Sequence, residues 1–274
     1  MPPPRSGSTL TYQILTSGIN NFHLTNIWNL LYATPTIGGL ISGKLCLKHQ
    51  SNFQSKHGFV DGLCGEAEGL KFWSHWMGQK LEENNKLHKQ KYRRFHKILG
   101  KVKKNKQIFI TGYLGHSLCI NELKKIFPKL LFVHLKRDLL SNAYSLFKFS
   151  NELWPSTKPK EISNYRNISK HRASVIQLLL IHKKILNQTN KENTITIDYH
   201  DLCKNPKKII NDIIKFSKEI NIEIYPKNAN NISKNFQESK INANLNEDTQ
   251  KIQKYIEAEI NKKEFLEVKK LFSK

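Results

Sequence analysis

Hydrophobic residues recur along this chain in two rhythms. Three short runs are continuously apolar and rich in β-branched residues: QIFIT (107–111), LLFVHLK (130–136) and TITIDY (194–199). This is the pattern of strands buried on both faces of a parallel sheet. Elsewhere apolar positions return every three to four residues, the helical period. Ser8–Ser17 carries Leu10, Ile14 and Leu15 on one side, and Thr25–Tyr32 is a second such stretch. Residues 86–104 are basic and helical in period, with Tyr92, Phe95, Ile98, Leu99 and Val102 as their apolar stripe. Ile120–Phe127 joins the first two strands and Leu140–Phe149 follows the second. Residues 171–187 lead to the third strand and 206–219 leave it. Strands alternating with helices predict an α/β fold, a central parallel sheet flanked by helices with right-handed crossovers.

The interruptions complete the outline. Pro35, Gly38, Gly39 and Gly43 break the helical pattern, and residues 53–70 read as a glycine-punctuated loop leading into the aromatic helix start KFWSHWM (71–77). Pro155–Lys160 reads as a surface loop. Residues 226–248 form a polar arm, and 247–272 a helix or helix pair packing through Ile252, Tyr255, Ile256 and Ile260. No internal repeat divides the chain, so residues 1–274 are expected to form one domain.

Charge narrows the partners. Lys and Arg total 45 against 22 Asp and Glu, a net charge of +23, which favours an anionic partner: a phosphate-bearing cofactor, a sulfated glycan, nucleic acid or a membrane surface. Much of the lysine accompanies asparagine and isoleucine, as an AT-rich coding sequence would give. No helix-turn-helix, zinc-finger or RNA-recognition signature is present, so nucleic acid is not an expected partner. No apolar run reaches about 18 residues, so no transmembrane segment is expected, while peripheral membrane contact stays compatible with the charge. Cys46, Cys64, Cys119 and Cys203 have neither metal-ligand nor disulfide-framework spacing. They are expected to be reduced thiols, with no metal site, and with no signal-peptide pattern the chain is expected in the cytoplasm.

Two stretches carry candidate chemistry. Pro3-Pro4-Arg5-Ser6-Gly7-Ser8-Thr9 has the parts of an anion cradle. Gly7 permits close backbone approach, N–H groups from Ser6 to Thr9 gather at a helix N-terminus, Ser8 and Thr9 add hydroxyls, and Arg5 adds a charged fork. It lacks the Gly-Lys-Ser/Thr ending of a Walker A loop, which disfavours a nucleoside triphosphate kinase. A simple capped turn is the plain alternative. In LLFVHLKRDLLSNAYSL (130–146) a buried strand ends at Arg137, where open α/β sheets bind ligands. Ser145 lies about two helical turns further on, placed to share a phosphate with Arg137. The alternative is a surface Arg–Asp pair and a buried serine.

Together the two stretches resemble the sulfotransferase family that uses 3′-phosphoadenosine 5′-phosphosulfate (PAPS). That family has a P-R-S-G-[ST]-T loop for the 5′-phosphosulfate and an R-D-x6-S stretch for the 3′-phosphate. GEAEGLKFWSHWM (65–77), ELKKIFPKLLFVHLKRD (122–138), ELWPSTKP (152–159) and IDYHDLCKNPKKIINDIIKF (197–216) also look like segments of its bacterial-type members. The resemblance covers the chain to about residue 220. It implies a P-loop-like sheet, PAPS as co-substrate, and a hydroxyl-bearing acceptor: a glycan, a lipid or a small metabolite. It places Arg5, Ser6, Gly7, Ser8 and Thr9 on the 5′-phosphosulfate and Arg137 and Ser145 on the 3′-phosphate.

Sulfuryl transfer needs a base for the acceptor hydroxyl. Members of the family use a Glu ahead of an aromatic helix, which implies Glu68 in the E-G-x-x-F-W frame. Glu66 and His116 stay open as alternatives, and His134, inside a strand, reads as a core residue. Arg5 would stabilise charge on the leaving oxygen. Residues 150–167 and 33–43 are expected to line the acceptor pocket. Two departures stand out. A lysine common in relatives is replaced near Gly112, with Lys136 or Lys44 as substitutes. The family's first strand, a hydrophobic run ending in Gly, is missing ahead of the loop, which leaves a truncated, non-catalytic anion-binding relative as the second reading.

Overall fold

The computed structural model describes residues 2–56, 58–77, 89–104, 106–149, 157–228 and 230–273. The elements run α1 (Ser8–Gly18), β1 (Asn21–His23), α2 (Asn26–Leu30), α3 (Pro35–Leu45), α4 (Leu70–Met77), α5 (Lys89–Val102), β2 (Ile108–Ile110), α6 (Ile120–Ile126), β3 (Phe132–Lys136), α7 (Leu139–Phe149), α8 (Lys170–Gln188), β4 (Thr194–Asp198), α9 (Tyr199–Lys204), α10 (Pro206–Glu219), α11 (Glu247–Ile260) and α12 (Leu266–Phe272). The side chain of Tyr92 and the first part of the loop expected at Pro155–Lys160 lie outside the described residues.

The three apolar runs are strands, and their pairing is parallel as expected. They do not form one central sheet. β1 pairs with β2, Phe22 opposite Phe109, and β3 pairs with β4, His134 opposite Thr196. Among the described residues no ladder joins the two sheets. A hydrophobic cluster bridges them instead: Ile14 and Leu15 of α1 and Ile19 just after it pack with Leu135 and Ile197, and Ile108, Ile110 and Val133 border the same cluster. β1 went unread because three residues of Asn-Phe-His carry no period. His134 is buried, as expected of a core residue, and Nε2 meets Nδ1 of His182 at 2.9 Å.

Residues 33–43 are a correction. Pro35 and the three glycines form α3 rather than ending a helix. Pro35 sits in the first turn, where its missing N–H costs nothing, and Gly38 and Gly39 are where the helix touches its neighbours. A Cβ at Gly38 would lie 2.9 Å from Trp28 Cδ1, and one at Gly39 2.7 Å from Val102 Cγ2. Small residues face inward here so that α3 can approach α2 and α5 closely.

The cysteines are a second correction. Cys46, at the end of α3, and Cys64 form a disulfide across a separation of 18, while Cys119 and Cys203 are free and buried. Sequence spacing could not reveal it, because the pairing is set by how α2 holds the far side of the loop. Asn26 Nδ2 donates to the carbonyls of Val60 and Gly62 (2.8 and 2.7 Å), and Ile27 N to that of Leu63 (3.0 Å). A cross-link over a loop of this size stabilises by about 3 kcal/mol in the chain-entropy account. Cys46→Ser/Cys64→Ser is therefore expected to lower Tm by roughly 5–10 °C in a thermal melt. An unchanged Tm would show that the Asn26 contacts alone fix the loop.

The C-terminal half buries a separate apolar cluster. Val175, Ile176 and Leu179 of α8 pack against α7 and against Ile252, Ile256 and Val268 of the last two helices. The polar arm at 226–248 is irregular, as read, but it is not loose. Ile232 is buried, and Phe236 N donates to the carbonyl of Cys203 (2.7 Å).

Candidate active site

The loop at 3–9 is held in place from far along the chain and from within itself. Asn142 Nδ2 donates to the carbonyl of Pro4 (2.7 Å), and Ser6 Oγ, fully buried, donates to that of Pro3 (2.7 Å). Arg5 and Gly7 both have left-handed backbones, φ 61° and 95°. Gly7 is the residue before α1, and no side chain caps that helix. Its first N–H groups receive no side-chain cap, at the end of the helix that favours negative charge.

The second constellation folds onto the first. Arg137, at the carboxyl end of β3, donates through Nη1 to the carbonyl of Arg5 (2.7 Å). Arg5 Nε in turn donates to Ser145 Oγ (3.2 Å), and its guanidinium lies 4.9 Å from the centre of the Phe149 ring. Arg137 is 6% exposed and faces the Tyr199 ring at 5.2 Å. Its Nη2 is taken by the carbonyl and hydroxyl of Ser239 (2.6 and 2.9 Å), and its Nε is buried without a partner. Burial lowers the pKa of both guanidiniums, and for Arg5 the neighbouring Arg137 adds to the effect. Neither makes an ion pair with a carboxylate among the described residues. Arg137, buried, and Arg5, half-buried, have no ion-pair partner among the described residues and stand beside an uncapped helix N-terminus, an arrangement that suits an anion.

A cavity of about 380 Å³ opens onto this group, lined by Arg5, Gly7, Ser8 and Thr9, with Arg137 and Ser145. Glu68 lies on its wall, and Gly58 sits between Thr9 and Glu68. Burial pushes the Glu68 carboxyl up to about 7, against the opposing pull of Arg5. Glu66 is 4% exposed, pairs with Thr25 in an isolated bridge, and leaves Oε2 without a partner. It borders both this cavity and a larger one of about 770 Å³, which is lined by His23, Lys104 and Lys227 rather than by the loop. Of 33–43, Gly39, Ser42 and Gly43 line that larger cavity.

His116 stands apart. It is 3% exposed, in a short 3-10 turn, with its ring edge-on to Trp73 at 4.4 Å, and it is not among the residues lining either cavity. Burial lowers its pKa to about 3. Neither lysine substitute reaches the site. Lys136 is paired with Asp198 (3.2 Å), and Lys44 is exposed on α3.

Sequence reasoning did not single out Tyr199, Asn142 or Ser239. Tyr199 follows β4 directly, the same strand-end signal that pointed to Arg137. Ser239 lies in the irregular arm and had no local signal.

The profile of the sulfotransferase family matches residues 3–219, and the chain belongs to that family. No curated protein and no solved structure matches it. The family makes it a transferase. No helix among the described residues is long and apolar enough to cross a membrane, and those residues contain no cluster that could hold a metal ion.

Proposed function

We propose that the chain moves a sulfuryl group from PAPS to an acceptor hydroxyl of a glycan, lipid or small metabolite. The observation that carries this reading is the convergence of Arg5 and Arg137, two guanidiniums without a carboxylate partner, at the uncapped start of α1 and in one cavity with Glu68. The donor supplies an activated sulfuryl group on a phosphate leaving group. The N–H groups at the start of α1, with Ser8 and Thr9, hold its 5′ end. Arg137 and the Ser145 hydroxyl, both on the cavity wall, hold its 3′-phosphate. Glu68 takes the acceptor proton as that oxygen attacks sulfur, and Arg5 neutralises the charge that builds on the departing phosphate oxygen. A carboxyl with a pKa near 7 suits this role at neutral pH.

The test is nucleotide selectivity. Adenosine 3′,5′-bisphosphate should bind at least about tenfold more tightly than adenosine 5′-phosphate, the loss expected for one charge-assisted contact. Arg137→Ala should erase most of the difference. Equal affinity of the wild-type chain for the two nucleotides, measured by calorimetry, would overturn the reading.

The P-loop-like arrangement is part of the same proposal: β1 and β2, and β3 and β4, pair in parallel, and β2, β3 and β4 border one cluster packed on α1.

A further inference from the structure

α3 is inside out. Its inward positions are Pro35, Gly38, Gly39 and Ser42, all buried, and its outward positions are Ile37, Leu40, Ile41, Lys44 and Leu45. The outward spacing, three, one, three and one, puts them on one helical face. Ile37 is 55% exposed, Leu40 57% and Leu45 65%. The exposed aliphatic stripe is thus the larger of the two faces by side-chain volume, the reverse of a helix resting on a core.

The surface extends beyond α3. Leu47 is 70% exposed and Phe59 76%, and Leu30, Leu63 and Leu70 are exposed as well. They belong to one neighbourhood. The disulfide ties Leu63's loop to the end of α3, Asn26 and Ile27 hold that loop to α2, and Asn29 Oδ1 accepts from the N–H of Phe72, just past Leu70. Exposed apolar side chains gathered this way mark an interaction surface.

Charge selects the partner. From Asn26 to Val60 the sequence contains no acidic residue. Lys44, Lys48, Lys56 and Lys71, all exposed, each stand within one turn of an exposed apolar side chain. Among the described residues around this patch, Asp61 is the exposed acid. A second copy of the chain would bring these lysines against one another. A bilayer bearing anionic headgroups complements them while its acyl region takes the aliphatic stripe.

We infer that the α3 face, with Phe59 and Leu63 beside it, docks the protein on an anionic lipid surface. Docking there turns the rim of the candidate cavity toward the bilayer, because Phe59 and Leu70 also line that cavity. The inference does not rest on the sulfuryl-transfer reading, and its test uses no donor.

The chain's net charge alone attracts anionic vesicles, so the test must separate insertion from attraction. Cosedimentation with phosphatidylcholine vesicles, with and without about one-third phosphatidylserine, should show binding that needs the anionic lipid. Leu40→Ser/Leu45→Ser keeps every charge and should weaken that binding by about tenfold or more, with Tm unchanged. In Ile37→Trp, brominated acyl chains should quench a large part of the added indole fluorescence. The proposal is overturned if the serine variant folds and binds as tightly as wild type. It is equally overturned if the bromines leave the indole unquenched, a result that does not depend on the serine variant folding. A chain that elutes as a dimer, and becomes monomeric with the same serine substitutions, would assign the face to a second copy instead.

Discussion

Replacing Glu68 by Gln is expected to cut turnover by roughly 10²–10⁴, the range for loss of a positioned base, with bisphosphate binding unchanged. The wild-type rate should rise with pH through about 7, where the carboxyl ionises, and the variant should lose that dependence. Stability should move the other way. The folded-state value lies above the ordinary 4.5 because of burial, so the folded chain binds this proton more tightly than the unfolded one. The associated stability is fully present below about pH 4.5 and is lost as pH rises toward 7, by up to about 3 kcal/mol. Above pH 7 the Gln variant, which never carries the charge, should therefore melt higher than wild type while turning over far more slowly. Glu66→Gln should do much less to turnover. A pH profile and a melting curve on each variant decide between the two carboxylates. If neither matters and His116→Ala does, the base is misassigned.

Gly7→Ala is expected to cost at least about 2 kcal/mol of stability and to abolish measurable bisphosphate binding. Two causes add. The backbone at Gly7 is left-handed, and the new Cβ would lie 2.1 Å from Cε2 of the Tyr199 ring, inside any allowed contact. The causes separate in a double variant. Tyr199→Ala makes room for the methyl group without relieving the backbone, so Gly7→Ala/Tyr199→Ala should lose less stability than the sum of the two single changes. Urea titrations of the four proteins measure the difference. Simple additivity would show that the loop shifts rather than clashes.

The convergence of this candidate site was legible in part because its residues sit in contiguous motifs. Arg5 and Gly7 share one loop and Arg137 and Ser145 one strand–helix turn, and the hydrophobic runs behind them read as strands. What escaped depends on contacts distant in sequence or on residues used against type. α3 was hidden because Pro35 and three glycines usually end helices, and here the proline starts one while two of the glycines face Trp28 and Val102. The Cys46–Cys64 bond follows from α2 gripping the 60–63 loop, which spacing does not encode. The division of the strands into two sheets is a matter of pairing, and periodicity reports burial rather than partners.

The grip of Ser239 on Arg137 has a bearing on where this protein can be divided. Family likeness ends at residue 219, yet Ser239 fills the Nη2 side of Arg137, and Ile241 N donates to Ser141 Oγ (3.0 Å) in the helix that carries Ser145. Further on, Ile252 and Val268 cover the apolar side of α8. A boundary drawn where the likeness stops would cut the Ser239–Arg137 contact beside the candidate cavity and uncover a hydrophobic face as well. Through Ser239, which lines the cavity, the chain after residue 219 contributes to the wall around Arg137, so a trimmed chain should keep it.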